Sequence, residues 1–402
     1  MSTVGPLRAW LPPAEHAAEI ASVPYDVVNS AEARALAEGK ERSFLHVIRP
    51  EIDLAEGVDL YSDPVYAKAA ENLSRWLEET PYSETEGMFV YRLVREGVPQ
   101  VGVLGACSVD EYDRGGIAIH ERTRQNKEDD RTRHIVTMRC QAEPIFLAYR
   151  ARPAIDALAA AAMERAPRFD FEANDGVRHT LWDVDDAEQL RAAFEAVPRL
   201  YVADGHHRAK SASRTREALA AENPDHDGTE AYNRVMAVVF PDDQLTILPY
   251  NRVVTDVGAQ GVAGALDAIR AIAELTPVDS ATPEERGAIH VYGDGRWYGM
   301  RLSPTRDGVA AGLDVALLQD QVLEPVFGIA DPRRDTRIDF VGGARGTEEL
   351  ERRADAAGGV AFSMFPTSLS ELFAVADAGE IMPPKSTWFE PKLRSGLFVH
   401  RI

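Results

Sequence analysis

The chain has 402 residues, and 65 Asp and Glu against 44 Lys and Arg leave a formal net charge of −21 with a sequence pI near 4.9. With 45% apolar, 27% charged and 8% aromatic residues, it is an ordinary globular composition, far from disordered or fibrous classes; about one domain per 150 residues suggests two or three domains. So acidic a surface repels a phosphate polyanion at long range, which argues against a nucleic-acid partner and requires any phosphate ligand to find a local basic pocket.

The first residues, MSTVGPLRAWLPPAEHAAEIASV, lack the apolar run of a secretory leader. No later stretch offers the roughly 18 uncharged apolar residues of a membrane span, so a cytoplasmic protein is expected. In chain order, helical periodicity is expected over 31–38, 65–77, 153–165 and 187–196. Strand-like runs occupy 87–94, 101–109, 145–149, 200–202, 235–240 and 245–248. The last two are separated by Pro241-Asp242-Asp243-Gln244 and read as a hairpin. A glycine-rich stretch over 257–264 leads into a helix to about 272, then a strand pair at 288–292 and 297–302. Strands and helices alternate without a regular βαβ period, so the fold class is α+β with a mixed sheet. The domain boundary is placed at 257/258, with the C-terminal lobe returning the segment from Lys385 to Lys392 to the site. Cys107 and Cys140 match no metal or redox spacing and read as reduced, partly buried thiols.

The segment with the densest chemistry is Arg199-Leu-Tyr-Val-Ala-Asp-Gly-His-His-Arg, a short apolar strand, a turn at Gly205 and a long helix. A helix opening at His206 aims its free N–H groups and positive dipole end back at the strand end, an arrangement suited to an anion. His206, His207 and Arg208 add donors there, and Gly205 permits close backbone approach. Cations oppose the dipole at a helix start, so the placement makes sense with an anion among them. Asp204 is either a plain N-cap or a working carboxylate.

A second segment, His120 to His134, carries five Lys or Arg and four Asp or Glu in fifteen residues. It is either a solvated face or part of the site. Glu121, at a strand end, is a candidate base or magnesium ligand, and Lys127 and Arg131, four residues apart, share a helical face. Near the C-terminus, Met382-Pro-Pro-Lys-Ser-Thr-Trp-Phe-Glu-Pro-Lys-Leu-Arg-Ser-Gly-Leu has three prolines in ten residues, which exclude a helix. Lys385, Ser386, Thr387 and Lys392 supply cations and hydroxyls on this pre-ordered segment. The turn Val23-Pro-Tyr-Asp-Val-Val offers Tyr25 and Asp26 as substrate contacts, and Arg49 is either a further contact or half of an ion pair with Glu51.

Taken together, the PYDVV turn, HERT with its downstream KEDDR, DGHHR, LPYNRVV and MPPKSTWFEPKLRSGL resemble a bacterial and archaeal family known as domain of unknown function 1015. The resemblance runs from about residue 23 to 398. The DGHHR turn is also similar to the phosphate-binding turn of the ParB and sulfiredoxin superfamily, which includes free serine kinases. The resemblance implies a ParB/sulfiredoxin-like core with additional lobes and a phosphotransferase that makes O-phosphoserine from L-serine, with pyrophosphate, ADP or ATP as donor and Mg2+ expected. It casts Gly205, His206, His207 and Arg208 as a phosphate cradle, with Lys127, Arg131, Lys385 and Lys392 as further cations. Asp204 or Glu121 would be the base and the other a magnesium contact. The turn has no cysteine, which argues against sulfinic-acid repair, and neither a Walker loop nor a kinase glycine loop is present, which favours a compact donor such as pyrophosphate. The rivals are a phosphoester hydrolase, such as a phosphoserine phosphatase, and a ParB-like nucleotide- or DNA-binding regulator.

Overall fold

Ile145–Tyr149 is an unbroken apolar run, the signature of a strand covered on both faces, and all five residues are buried. It lies in the interior of a nine-stranded mixed sheet in a computed structural model that describes residues 3–402. The chain divides into two units. The first comprises Met1–Ala118, Thr123–Leu245 and Pro391–Ile402, and the second Ile119–Arg122 and Thr246–Glu390. The chain passes between the units at 118/119, 122/123, 245/246 and 390/391. The glycine-rich stretch lies inside the second unit and leads into the helix Gly261–Arg270, which buries Ala265, Leu266 and Ile269.

The sheet of the first unit runs in the order Ile117–Ala118, Leu200–Asp204, Ile145–Tyr149, Arg234–Pro241, Val98–Ser108, Phe89–Arg95, Arg178–Asp183 and Phe169–Glu172, with Val4–Gly5 added beside Val98–Ser108. Leu200–Asp204 is parallel to Ile117–Ala118 and antiparallel to Ile145–Tyr149, whereas Arg234–Pro241 is parallel to Ile145–Tyr149. Glu96 and Gly97, at φ 53° and 81°, close the hairpin between Phe89–Arg95 and Val98–Ser108, the backbone twist that two-residue hairpin loops require. One face packs Ile145, Leu147, Val202, Ala209, Ala212 and Phe194 into a common core. A four-stranded sheet, Ser83–Gly87, Leu7–Leu11, Val399–Arg401 and Cys140–Gln141, ties the two chain ends into this unit.

The expected hairpin between 235–240 and 245–248 does not form. Arg234–Pro241 is already flanked by Val98–Ser108 and Ile145–Tyr149, so it has no free edge. The chain turns away through Asp242–Gln244, whose Gln244 side chain accepts the Val101 N–H at 3.0 Å, and Thr246–Leu248 pairs instead with Trp388–Glu390.

The second unit holds a six-stranded sheet ordered Thr276–Pro277, Arg296–Arg301, Ala288–Gly293, Val360–Met364, Tyr250–Val254 and Ile338–Gly342. The strand pair expected near 288 and 297 is present, closed by Asp294 and Gly295 at φ 52° and 74°. The fold class is α+β. Cys107 and Cys140 are buried and unbridged, and burial pushes the Cys140 thiol up to about 12. Among the described residues no helix is long and apolar enough to cross a membrane.

Candidate functional site

The strand Leu200–Asp204 ends with Asp204, Gly205 follows at φ 91°, and the helix His206–Glu222 begins at once. The turn reverses direction in a single residue, so the left-handed conformation falls on the one residue type that adopts it without strain. A side chain there would also collide, since a Cβ on Gly205 would lie 3.1 Å from Cζ, Nε and Nη2 of Arg208. The Arg208 guanidinium is thus folded back over the turn, and it is 8% exposed.

Asp204 is not a cap. Gly205 occupies the N-cap position and among the described residues no side chain caps the helix, so the positive end of its dipole faces the turn. The Asp204 carboxylate instead accepts a hydrogen bond from Lys392 Nζ at 2.7 Å, and its other oxygen lies 3.7 Å from Arg208 Nη2. Burial by itself would raise the Asp204 pKa; Lys392, Arg208 and His206 overcome it and hold the carboxyl well below its ordinary value, so Asp204 is ionised at neutral pH. Its side chain keeps 25% exposure, against 13% for Lys392, so a ligand can reach it.

Beneath the turn lies a ring of buried charge. Arg208 donates to the carbonyl of Pro144. Arg131 sits on the helix Gln125–Met138, pairs with Asp130 at 2.9 Å and lies 4.2 Å above the Tyr25 ring. Glu143 accepts from the Tyr25 N–H at 3.1 Å and from the Ser395 hydroxyl at 3.0 Å. Burial raises its pKa while Arg208 and Arg131 pull it back. Arg131, Glu143 and Arg208 line a small cavity of about 20 Å³, room for one water rather than for a phosphate, and among the described residues Arg131 Nη1 and Arg208 Nε find no protein acceptor.

Of the residues singled out in the sequence, the first unit gathers Tyr25, Arg131, Asp204, Gly205, His206, Arg208 and Lys392 around this turn, and Asp26 contributes to the field that raises the Arg208 pKa. His206 is buried. His207 Nε2 accepts the Arg124 N–H at 3.0 Å, which places its proton on Nδ1 and joins the starts of two helices. Lys127 lies 5.7 Å from the Tyr61 ring centre. Arg49 pairs with Glu51 at 2.9 Å and donates to the Tyr25 carbonyl at 3.4 Å, so it both forms the ion pair and supports the PYDVV turn.

Glu121, Lys385, Ser386 and Thr387 belong to the second unit. There Lys385 takes a left-handed φ of 59°, its ammonium lies 5.4 Å from the Tyr250 ring centre, and its carbonyl accepts from Arg252 at 3.2 Å. Ser386 is buried, and its hydroxyl donates to the Pro383 carbonyl at 2.6 Å within the proline-rich turn. Thr387 precedes the strand Trp388–Glu390. Among the described residues no three His, Cys, Asp or Glu converge on a metal-binding geometry, and of the two carboxylates expected near magnesium, Asp204 is hydrogen-bonded to Lys392 while Glu121 lies in the second unit.

Sequence reasoning passed over Glu143, His179, Arg394 and Ser395. Arg394 and Ser395 stand inside the LRSGL motif two and three residues beyond Lys392, a usable signal. Glu143 is a lone acid before an apolar strand, and nothing local marks it.

No curated protein matches the chain. Solved structures that resemble it include a free serine kinase in complex with AMP, at 12% identity and TM-score 0.38, covering 74% of this chain and 92% of that one. A conserved hypothetical protein from Pyrococcus furiosus aligns at 14% and TM-score 0.37, covering 74% of this chain and 95% of that one. SbnI with C-terminal truncation from Staphylococcus aureus aligns at 17% and TM-score 0.37, covering 73% and 87%. Residues 4–316, most of the chain, match one sequence family, and the protein belongs to it: the family described as Protein of unknown function (DUF1015).

Proposed function

We propose that the protein is a small-molecule phosphotransferase that phosphorylates the hydroxyl of free L-serine, with pyrophosphate as the preferred donor and ADP or ATP as alternatives. The observation that carries the reading is the ionised Asp204 carboxylate, held by Lys392 at the mouth of an uncapped helix N-terminus with Arg208 folded behind it. Phosphoryl transfer needs cations and N–H donors for the transferring group and an acceptor for the hydroxyl proton, in line and close together. The helix start with its positive dipole end and Lys392 supply the first, and Asp204 the second. The serine Oγ attacks the terminal phosphorus and a new O–P bond forms. The bridging P–O bond breaks with its electrons on the departing phosphate or nucleotide, and the hydroxyl proton passes to Asp204.

L-Serine as acceptor rests on the resemblance of the DGHHR turn and its companion motifs. Pyrophosphate is favoured by the absence of Walker and kinase glycine loops. Mg2+ enters this reading as an ion carried on the donor's phosphates, with Asp204 or Glu121 as the carboxylate that would meet it. Glu121, His207, Lys127, Lys385, Ser386 and Thr387 are kept as secondary contacts on the strength of the motifs alone. The test is direct: purified protein, L-serine and magnesium with each donor in turn, reading O-phosphoserine by mass spectrometry. Product with at least one donor is expected. No product with pyrophosphate, ADP or ATP overturns the reading. Phosphate release from phosphoserine without a donor would replace it by a hydrolase, and salt-sensitive DNA retardation by a regulator.

A further inference from the structure

Residues 391–396 carry Lys392 to Asp204, and the hold on them is stronger than one ion pair. Arg394 is buried; its Nε donates to His179 Nε2 at 3.1 Å and its Nη2 pairs with Asp175. A guanidinium only donates, so His179 Nε2 must be unprotonated, and the ring's proton sits on Nδ1, 2.7 Å from the Tyr91 hydroxyl. The imidazole is fully buried and stacked on both sides, with Tyr91 and Phe171 ring centres at 5.9 and 5.4 Å. Ser395 exchanges backbone hydrogen bonds with Ser22 at 3.2 and 2.9 Å, and the Gly396 carbonyl accepts from the Tyr82 hydroxyl at 3.0 Å.

Arg394 is two residues from Lys392, at most about 7 Å along the chain, so its anchorage limits where the Lys392 ammonium can reach. A buried guanidinium left without partners is costly, so the segment cannot swing out while His179 and Asp175 hold it. We infer that Arg394, clamped by His179 and Asp175, is a positioning residue that holds Lys392 against Asp204. Its kinetic consequence rests on the phosphotransferase reading, whereas its structural consequence does not.

The test uses the full chain with Asp175→Asn, His179→Phe and Arg394→Lys. Losing one partner of a charged hydrogen bond should speed amide hydrogen exchange over 391–397 by about tenfold or more in Asp175→Asn and His179→Phe. It should also open tryptic cleavage after Lys392 and Arg394, and weaken the slowly exchanging Lys392 ammonium signal in nitrogen-15 spectra. In the reaction, kcat should fall about tenfold with KM for L-serine within about twofold, and Arg394→Lys should retain part of the rate. Asp175 is half-exposed, so Asp175→Asn leaves the core intact and decides the matter if His179→Phe does not fold. Unchanged exchange and an unchanged ammonium signal in Asp175→Asn overturn the inference, as does a kcat loss matched by an equal KM rise. If the segment loosens while the wild-type protein makes no phosphoserine, the positioning inference stands and the phosphotransferase reading falls.

Discussion

Replacing Gly205 by alanine perturbs the site at its narrowest point. The backbone there has φ 91°, and an L side chain in the left-handed region costs about 1–2 kcal/mol. The new Cβ would also stand 3.1 Å from three atoms of the Arg208 guanidinium, tighter than ordinary contact, so the guanidinium must shift. It is not free to do so cheaply, because Arg208 is buried, donates to the Pro144 carbonyl and faces Asp204. Weakening one charged hydrogen bond adds about 1–2 kcal/mol, so the substitution should cost about 2–4 kcal/mol in all. Gly97→Ala is the control: its φ is 81°, and no atom lies within 4 Å of its added Cβ, so it carries the conformational cost alone. Urea unfolding of both variants, followed by tryptophan fluorescence, should show the larger midpoint shift for Gly205→Ala. Equal shifts would refute the argument that Arg208 is pressed against the turn. The same variant should lose phosphotransferase activity by more than its stability loss explains, measured well below its unfolding midpoint.

Lys392→Met removes the principal positive neighbour of Asp204 and one cation from the anion site, and kcat should drop by about 10²–10³, as for loss of a preorganised electrostatic contact; an unchanged rate would exclude Lys392 from the chemistry. Glu143→Leu strips the Tyr25 N–H and Ser395 hydroxyl of their acceptor and leaves Arg131 and Arg208 less compensated, so a loss of about 3–5 kcal/mol is expected in denaturant titration. Stability should fall on acidification. Burial, then Arg131, pushes His134 down to about 3, so below about 6.5 the unfolded chain takes up a proton that the folded chain refuses. That difference amounts to about 2 kcal/mol at pH 5 from His134 alone, in the direction of unfolding. His179, held well below its ordinary value by burial and Arg394, adds in the same direction. His134→Gln, which can still donate to the Val47 carbonyl, should flatten the pH dependence of the thermal midpoint; an unflattened curve would show that His134 is not the group responsible.

Local chemistry was legible wherever neighbours in the chain are neighbours in space. The apolar run 200–202, Gly205 and the polar helix after it specified strand, turn and helix, because backbone conformation at a turn is a short-range matter. The helices near 31, 65, 153 and 187 followed from periodicity for the same reason. Pairing was not legible. Whether 235–240 folds back on 245–248 depends on which edges are already taken, and Val98–Ser108 and Ile145–Tyr149 had taken both. The site shows the same limit. Sequence could say that Asp204 begins a cation-rich turn, and it left open a cap or a working carboxylate. Only the return of residues 391–396 beside the turn, 188 positions along the chain, excluded the cap, by giving Asp204 the Lys392 ammonium instead of the helix N–H groups. Sequence alone thus determined the local shape and charge of the turn. Tertiary structure decided what each charge pairs with, because burial and long-range contact, not composition, set the energy of an ion.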